Sequence, residues 1–288
     1  MLQVARVAPK LLGDSAELVR TFVESRLTAA GGFADREGRA DVYYTVFGLE
    51  ALQALRCEPP RERVAAFLNS VKDVARLDFV HVCSLARCGA CLEKEFFSEE
   101  MRDDLAARVL AFRTLDGGFH GTPGRGRGSA YGALLAWGAF SDLGVEPPGT
   151  GELLDSVLAL QLPDGSFTNE PGMTAGTTTA TAAGVTICRH LGRLPGADTG
   201  RWLLAQQHPG GGFLAAPQAP LPDLLSTAVA LHALGGLEIS FDAQRERCLD
   251  FVDSLWNAEG GFHGHWADDD LDCEYTYYGL LALGHLGV

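Results

Sequence analysis

The sequence predicts an all-α fold, an α/α toroid of six helix-pair repeats, with residues 1–288 forming one domain. Two observations carry this expectation. A small-small-Phe turn recurs as Gly31-Gly32-Phe33, Gly117-Gly118-Phe119, Gly165-Ser166-Phe167, Gly211-Gly212-Phe213 and Gly260-Gly261-Phe262. Its phenylalanines lie 86, 48, 46 and 49 residues apart, and such a period marks a repeat architecture. The long first gap holds a sixth unit without the turn, the stretch from Arg61 to Glu93. The second observation is the pair of apolar stretches that flanks each turn.

The stretch before a turn is amphipathic, as in AELVRTFVESRL, LLDSVLALQL and CLDFVDSLW, with apolar residues at helical spacing. The stretch after it is more apolar: DVYYTVFGLEAL, DFVHVCSLARCGACL, SAYGALLAWGAF, TTTATAAGVTICRHL, DLLSTAVALHAL and DCEYTYYGLLAL. Asp or Thr opens most of these, residue types that accept a bond from the free N–H groups of a first helical turn. Gly and Pro clusters such as Pro59-Pro60 and Gly235-Gly236 end the units. The apolar helices belong inside and the amphipathic ones outside. No polar capping unit is visible, so the ends of the array are expected to meet and the inner helices to start at one mouth.

The chain carries a formal charge of −14 and is 47% hydrophobic. That charge disfavours nucleic acid and anionic membrane surfaces. No apolar run reaches the ~20 residues of a membrane span, and the N-terminal MLQVARVAPKLLGDSAE lacks the apolar block of a signal peptide. The seven cysteines are odd in number and irregular in spacing, which suits a reduced, cytoplasmic setting. Cys83, Cys88 and Cys91 fall on one helix, where Cys83 and Cys88 point ~140° apart, so they are expected as packed thiols rather than as a zinc site.

The Gly-Gly-Phe turns, the period and the Asp-led helix starts resemble the β subunits of protein prenyltransferases. GGFADREGRADVYYTVFGLEAL is similar to a repeat of the Rab geranylgeranyltransferase β subunit in particular. The resemblance runs through the whole chain. It implies a toroid of six helix pairs, an isoprenoid or other apolar small molecule as ligand, and an α-subunit-like protein partner. Terpene cyclases share the toroid, so a cyclase and a non-catalytic partner-binding toroid stand as alternatives. The family's zinc ligands, an Asp-x-Cys pair and a His, fall on Asp223, Leu225 and Tyr275. Its diphosphate contacts fall on Thr174 and on the loop LAAPQAPLP, which has no cation. Zinc-thiolate chemistry is therefore not expected in its usual form.

The stretch GGFHGHWADDDLDCEYTYYGLLAL holds most of the remaining candidates. Asp272-Cys273-Glu274-Tyr275-Thr276 resembles the acid motif of protonating terpene cyclases and places Glu274 as the acid, with Asp272 beside it. Such an acid must stay neutral until substrate arrives, and Tyr275, Tyr277 and Trp266 are candidates for an aromatic wall. The alternative is that Glu274 only complements the helix dipole. Asp268, Asp269 and Asp272 spell a pattern that could hold magnesium. His263 and His265 with nearby carboxylates are compatible with zinc. Tyr43, Tyr44, His81 and Tyr131 open inner helices and are expected to line a cavity together with Tyr275 and Tyr277. Arg125 and Arg127, in a glycine-rich loop, are the strongest basic group beside a helix start, and Arg127 is the candidate anchor for a charged end of the ligand.

Overall fold

The first glycine of each turn decides how one repeat meets the next. In the computed structural model, which describes residues 1–71, 73–93 and 95–288, Gly31 and Gly260 have φ of 96° and 100°. An L side chain is strained there. Nor is there room for one. A Cβ on Gly31 would lie 2.2 Å from the carbonyl oxygen of Arg63, and one on Gly260 would lie 2.2 Å from that of Leu18. Both oxygens belong to outer helices of a neighbouring repeat. The last turn thus docks on the first outer helix, as expected for an array whose ends meet.

Six helix pairs follow the expected pattern. The outer helices are α3 (Ala16–Ser25), α5 (Arg61–Ser70), α7 (Glu99–Leu110), α9 (Thr150–Leu158), α11 (Ala197–Ala205) and α13 (Arg245–Ser254). The inner helices are α4 (Val42–Ala54), α6 (Phe79–Leu92), α8 (Ala130–Leu143), α10 (Thr178–His190), α12 (Leu224–Gly236) and α14 (Cys273–Leu286). Two short helices, α1 (Leu2–Ala5) and α2 (Pro9–Leu12), precede them. The turnless stretch from Arg61 contains α5 and α6. A two-residue β-ladder joins Phe213–Leu214 to Pro222–Asp223.

Inner helices start alike because a side chain caps each one. Asp41, Asp78, Ser129, Thr177, Asp223 and Asp272 accept the N–H of the residue three positions on, at 2.7–3.2 Å. A threonine then ties the helix to its turn. Thr45 Oγ1 accepts the Phe33 N–H at 2.9 Å and donates to the Asp41 carbonyl at 2.6 Å. Thr227 does the same with Phe213 and Asp223. The turn phenylalanines are buried, and the rings of Phe33, Phe167 and Phe262 lie against Gly48, Gly184 and Gly279 of their own inner helices.

The chain divides into two compact units. Residues 1–70 and 204–288 form the first, in which α14 packs between α4 and α12, with α1 against its C-terminal half. Residues 71–203 form the second, where α8 packs between α6 and α10. Cys83 and Cys88 are buried in α6, and none of the seven cysteines is in a disulfide.

The phenylalanine-on-glycine contact gives a direct test. A Cβ at Gly48 would sit 2.4 Å from the Phe33 ring. Gly48→Ala should lower the unfolding free energy by roughly 1–3 kcal/mol in urea denaturation, despite alanine's better helix propensity. An unchanged or raised midpoint would remove this contact from the account of the repeat.

Candidate functional site

The loop after the first turn is built to present one arginine. Asp35 Oδ1 accepts the N–H groups of Glu37 and Arg39 at 3.0 and 2.8 Å, and its Oδ2 accepts Arg39 Nε at 3.0 Å. These bonds close a tight loop around Gly38, whose φ is 82°. Arg36 projects from it to the last repeat. Its Nε donates to Asp272 Oδ2 at 2.9 Å, Nη1 to Asp270 Oδ2 at 3.3 Å and Nη2 to Asp268 Oδ2 at 3.2 Å. The guanidinium carbon stands 5.5 Å from the centre of the Tyr275 ring. Burial works against the Arg36 charge, but the Asp272 and Asp268 carboxylates prevail and hold it protonated. The sequence reading missed Arg36. A lone arginine in a polar loop carries no local signal, and its partners lie more than 230 residues away.

Asp272 is fully buried. Its Oδ1 accepts the Tyr275 N–H at 2.8 Å and its Oδ2 takes Arg36. Both oxygens act as acceptors, and the group serves as the helix cap. Two residues on, Glu274 is half-buried, and Tyr43 donates its hydroxyl proton to Glu274 Oε1 at 2.6 Å. Burial pushes the Glu274 carboxyl up to about 7. The Tyr43 bond opposes this, the Asp272 charge adds to it, and Arg36 opposes it. Two neighbouring carboxyls thus have different roles: Asp272 accepts the Arg36 guanidinium and the Tyr275 N–H, and Glu274 accepts the Tyr43 hydroxyl. Tyr44 and Tyr275 flank them, and burial raises both phenols to about 12. Tyr43 packs edge-on against Tyr44 and Phe47. The result is an acid with a near-neutral pKa among aromatic rings, an arrangement able to donate a proton to an apolar substrate.

The other sequence candidates fall elsewhere. Tyr277, expected as lining, is 2% exposed and packs toward Phe47 and Tyr278 in the core. Trp266, expected as a wall for Glu274, meets Phe251 and His208 edge-on and donates its indole N–H to Ser254 Oγ at 2.9 Å, beside the outer helix α13. His81, Arg127 and Tyr131 belong to the second unit. There His81 Nδ1 lies 2.9 Å from both carboxylate oxygens of Asp78, while Arg127 and Tyr131 are exposed.

The metal candidates meet other partners. His263 Nδ1 lies 3.1 Å from the Asp270 carbonyl and Nε2 3.3 Å from the Asn257 side-chain amide. His265 Nδ1 accepts the Ala267 N–H at 3.1 Å. Among the described residues no group of three His, Cys, Asp or Glu side chains is placed to hold a metal. In the acidic run, Asp268 and Asp272 face Arg36 instead of converging on a cation site, and Asp269 is exposed. The zinc positions implied by the resemblance do not fit zinc either. Asp223 spends Oδ1 on the Ser226 N–H at 2.7 Å, Leu225 offers no donor atom, and Tyr275 stays a neutral phenol.

The sequence matches the family described as prenyltransferase alpha-alpha toroid domain over residues 9–83, 73–199 and 196–287. No curated protein matches it. Solved structures share the fold at low identity. Protein geranylgeranyltransferase-I of Candida albicans, complexed with GGPP, superposes with a TM-score of 0.70 at 14% identity, covering 94% of this chain and 90% of that one. A variant of the type II terpene cyclase MstE from Scytonema, in complex with geranylgeranyl dihydroxybenzoate, gives 0.62 at 12% identity, covering 97% of both chains. A protein from Actinoplanes gives 0.61 at 14% identity, covering 95% of this chain and 98% of that one. No helix among the described residues is long and apolar enough to cross a membrane. Repeat, helix order and family match agree, and the chain belongs to the prenyltransferase α/α toroid family.

Proposed function

We propose that this toroid accepts an isoprenoid-type chain and acts on it by protonation from Glu274, as a terpene-cyclase-like enzyme and not as a zinc-dependent protein prenyltransferase. One observation carries the reading: the Glu274 carboxyl, raised to about 7 by burial, meets the Tyr43 hydroxyl among aromatic rings, while Arg36 Nε donates to Asp272 Oδ2 two residues away. Two of the solved structures named above hold geranylgeranyl ligands, which supports the substrate class.

In the proposed step the Glu274 O–H bond breaks and a C–H bond forms at one alkene carbon, with the π electrons supplying the new bond. Glu274 becomes a carboxylate, and the other alkene carbon becomes a tertiary carbocation. The faces of Tyr44 and Tyr275 offset that positive charge. Tyr43 keeps its proton, so its hydroxyl bond stabilises the carboxylate left behind. Loss of a proton from the product cation restores the acid through solvent.

Incubation with a panel of polyprenyl substrates in deuterated water should give a product carrying one deuterium at the protonated carbon. Glu274→Gln should lower that rate by about 10²-fold or more, the usual contribution of a positioned general acid. Undiminished turnover in that variant, or no binding of any prenyl chain by calorimetry, would overturn the reading. The acid must be protonated to act, so activity should fall as pH rises through about 7.

Stability follows the same group. The folded protein holds the Glu274 proton up to about pH 7, whereas the unfolded chain releases it near its ordinary value of 4.5. Between those values the folded state binds more protons, so stability should decline with rising pH across that window. Glu274→Gln should remove ~1–3 kcal/mol of this dependence, read from denaturation midpoints at pH 4.5 and 7.5.

A further inference from the structure

The bridge made by Arg36 has a register. Counted from the turn phenylalanine, Arg36 is three residues after Phe33, while Asp268 and Asp270 are six and eight after Phe262. One loop therefore offers its third position to the sixth and eighth positions of the repeat that docks on it. The second unit repeats this geometry with the charges reversed. Glu170 is three residues after Phe167, and Arg125 and Arg127 are six and eight after Phe119. Arg125 Nη2 meets Glu170 Oε2 at 3.3 Å. The two donor loops are equally long, each with ten residues from the phenylalanine to the helix cap, Ser129 or Asp272.

The two bridges differ in what they leave over. In the first unit Arg36 pairs with Asp268, Asp270 and Asp272, and the excess is negative. In the second unit one carboxylate faces two guanidiniums. Glu170 pairs with Arg125, and Arg127 makes no ion pair among the described residues. A cavity of about 430 Å³ opens there, lined by His120, Arg125, Arg127 and Glu170 with Gly124, Gly126 and Pro171. His120 is largely buried, and its Nδ1 accepts the Thr122 N–H at 2.9 Å. The neutral ring must then carry its proton on Nε2, which lies 3.5 Å from Glu170 Oε1. The cavity therefore holds two guanidinium forks and an imidazole N–H, opposed by a single carboxylate that already stands in for an anion.

We infer that this cavity binds a phosphate-type oxyanion, with Arg127 as the open ligand, Arg125 and His120 Nε2 as supporting donors, and Glu170 as a built-in competitor. Guanidinium forks match tetrahedral oxyanions in charge and in paired donor geometry. Neither Thr174 nor any residue of the 214–222 loop, onto which the family's diphosphate contacts fall, lines this cavity. It is also independent of the Glu274 chemistry.

Calorimetric titration at low ionic strength tests it with three probes: inorganic phosphate, inorganic diphosphate and a prenyl diphosphate. Wild type should bind at least one of them. Arg127→Gln should weaken that binding roughly tenfold, and the double change with Arg125→Gln should abolish it. Glu170→Gln should tighten it several-fold, a gain that misfolding cannot produce. Arg201→Gln, in an exposed pair with Asp198, should change nothing. Tighter binding of the prenyl form identifies a lipid-borne headgroup, and equal binding identifies a free anion. No binding by wild type, an unaffected double variant, or a weaker Glu170→Gln would each overturn the assignment.

Discussion

Each repeat turn runs so close to the next outer helix that only glycine fits at its first position. This steric constraint is the one on which the other features depend. It fixes the distance and rotation between consecutive repeats before any side chain is chosen. It also brings the loop beyond one turn against the loop beyond the next. Charged bridges can form there because the backbone has already set which positions face each other. The threonine that links turn and inner helix adds a second tether. Its single hydroxyl accepts the turn's N–H and donates to the carbonyl of the helix cap.

Within this frame the start of α14 becomes chemically unlike the starts of α4 and α12. All three open on a capping aspartate. Only at α14 does a second carboxyl follow at a half-buried position facing a tyrosine from a neighbouring inner helix. An isolated carboxyl in that position would lose its charge to desolvation. An arginine alone beside it would restore the charge. The structure separates the two effects by directing Arg36 Nε to Asp272, so that burial dominates at Glu274 and raises its carboxyl to about 7. The same carboxylate that caps the helix thus also raises its neighbour, which joins a structural role to an electrostatic one.

The repeat was legible in the sequence because turn glycines, buried phenylalanines and capping residues act locally, each through the few residues around it. The six helix pairs, the turnless unit at Arg61 and the capping role of Asp272 follow from such local rules. Side-chain direction was less legible. Tyr275 and Tyr277 both open α14 in a tyrosine-rich run, yet two helical steps turn Tyr277 into the core, and Trp266 leaves the site for the outer helix. The histidines that read as metal ligands are held by backbone and amide groups of their own loop and its neighbour.

The sequence by itself determined the period, the helix pairs and the absence of the family's thiolate ligand at Leu225. Those depend on residue type and spacing alone. The tertiary structure decided that Arg36 answers the acidic run near the C-terminus and that Glu170 answers Arg125. Pairings of that kind join loops far apart in the chain, and no local pattern encodes them. The first arises because the last turn docks on the first outer helix, which converts a sequence separation of 236 residues between Arg36 and Asp272 into a hydrogen bond of 2.9 Å.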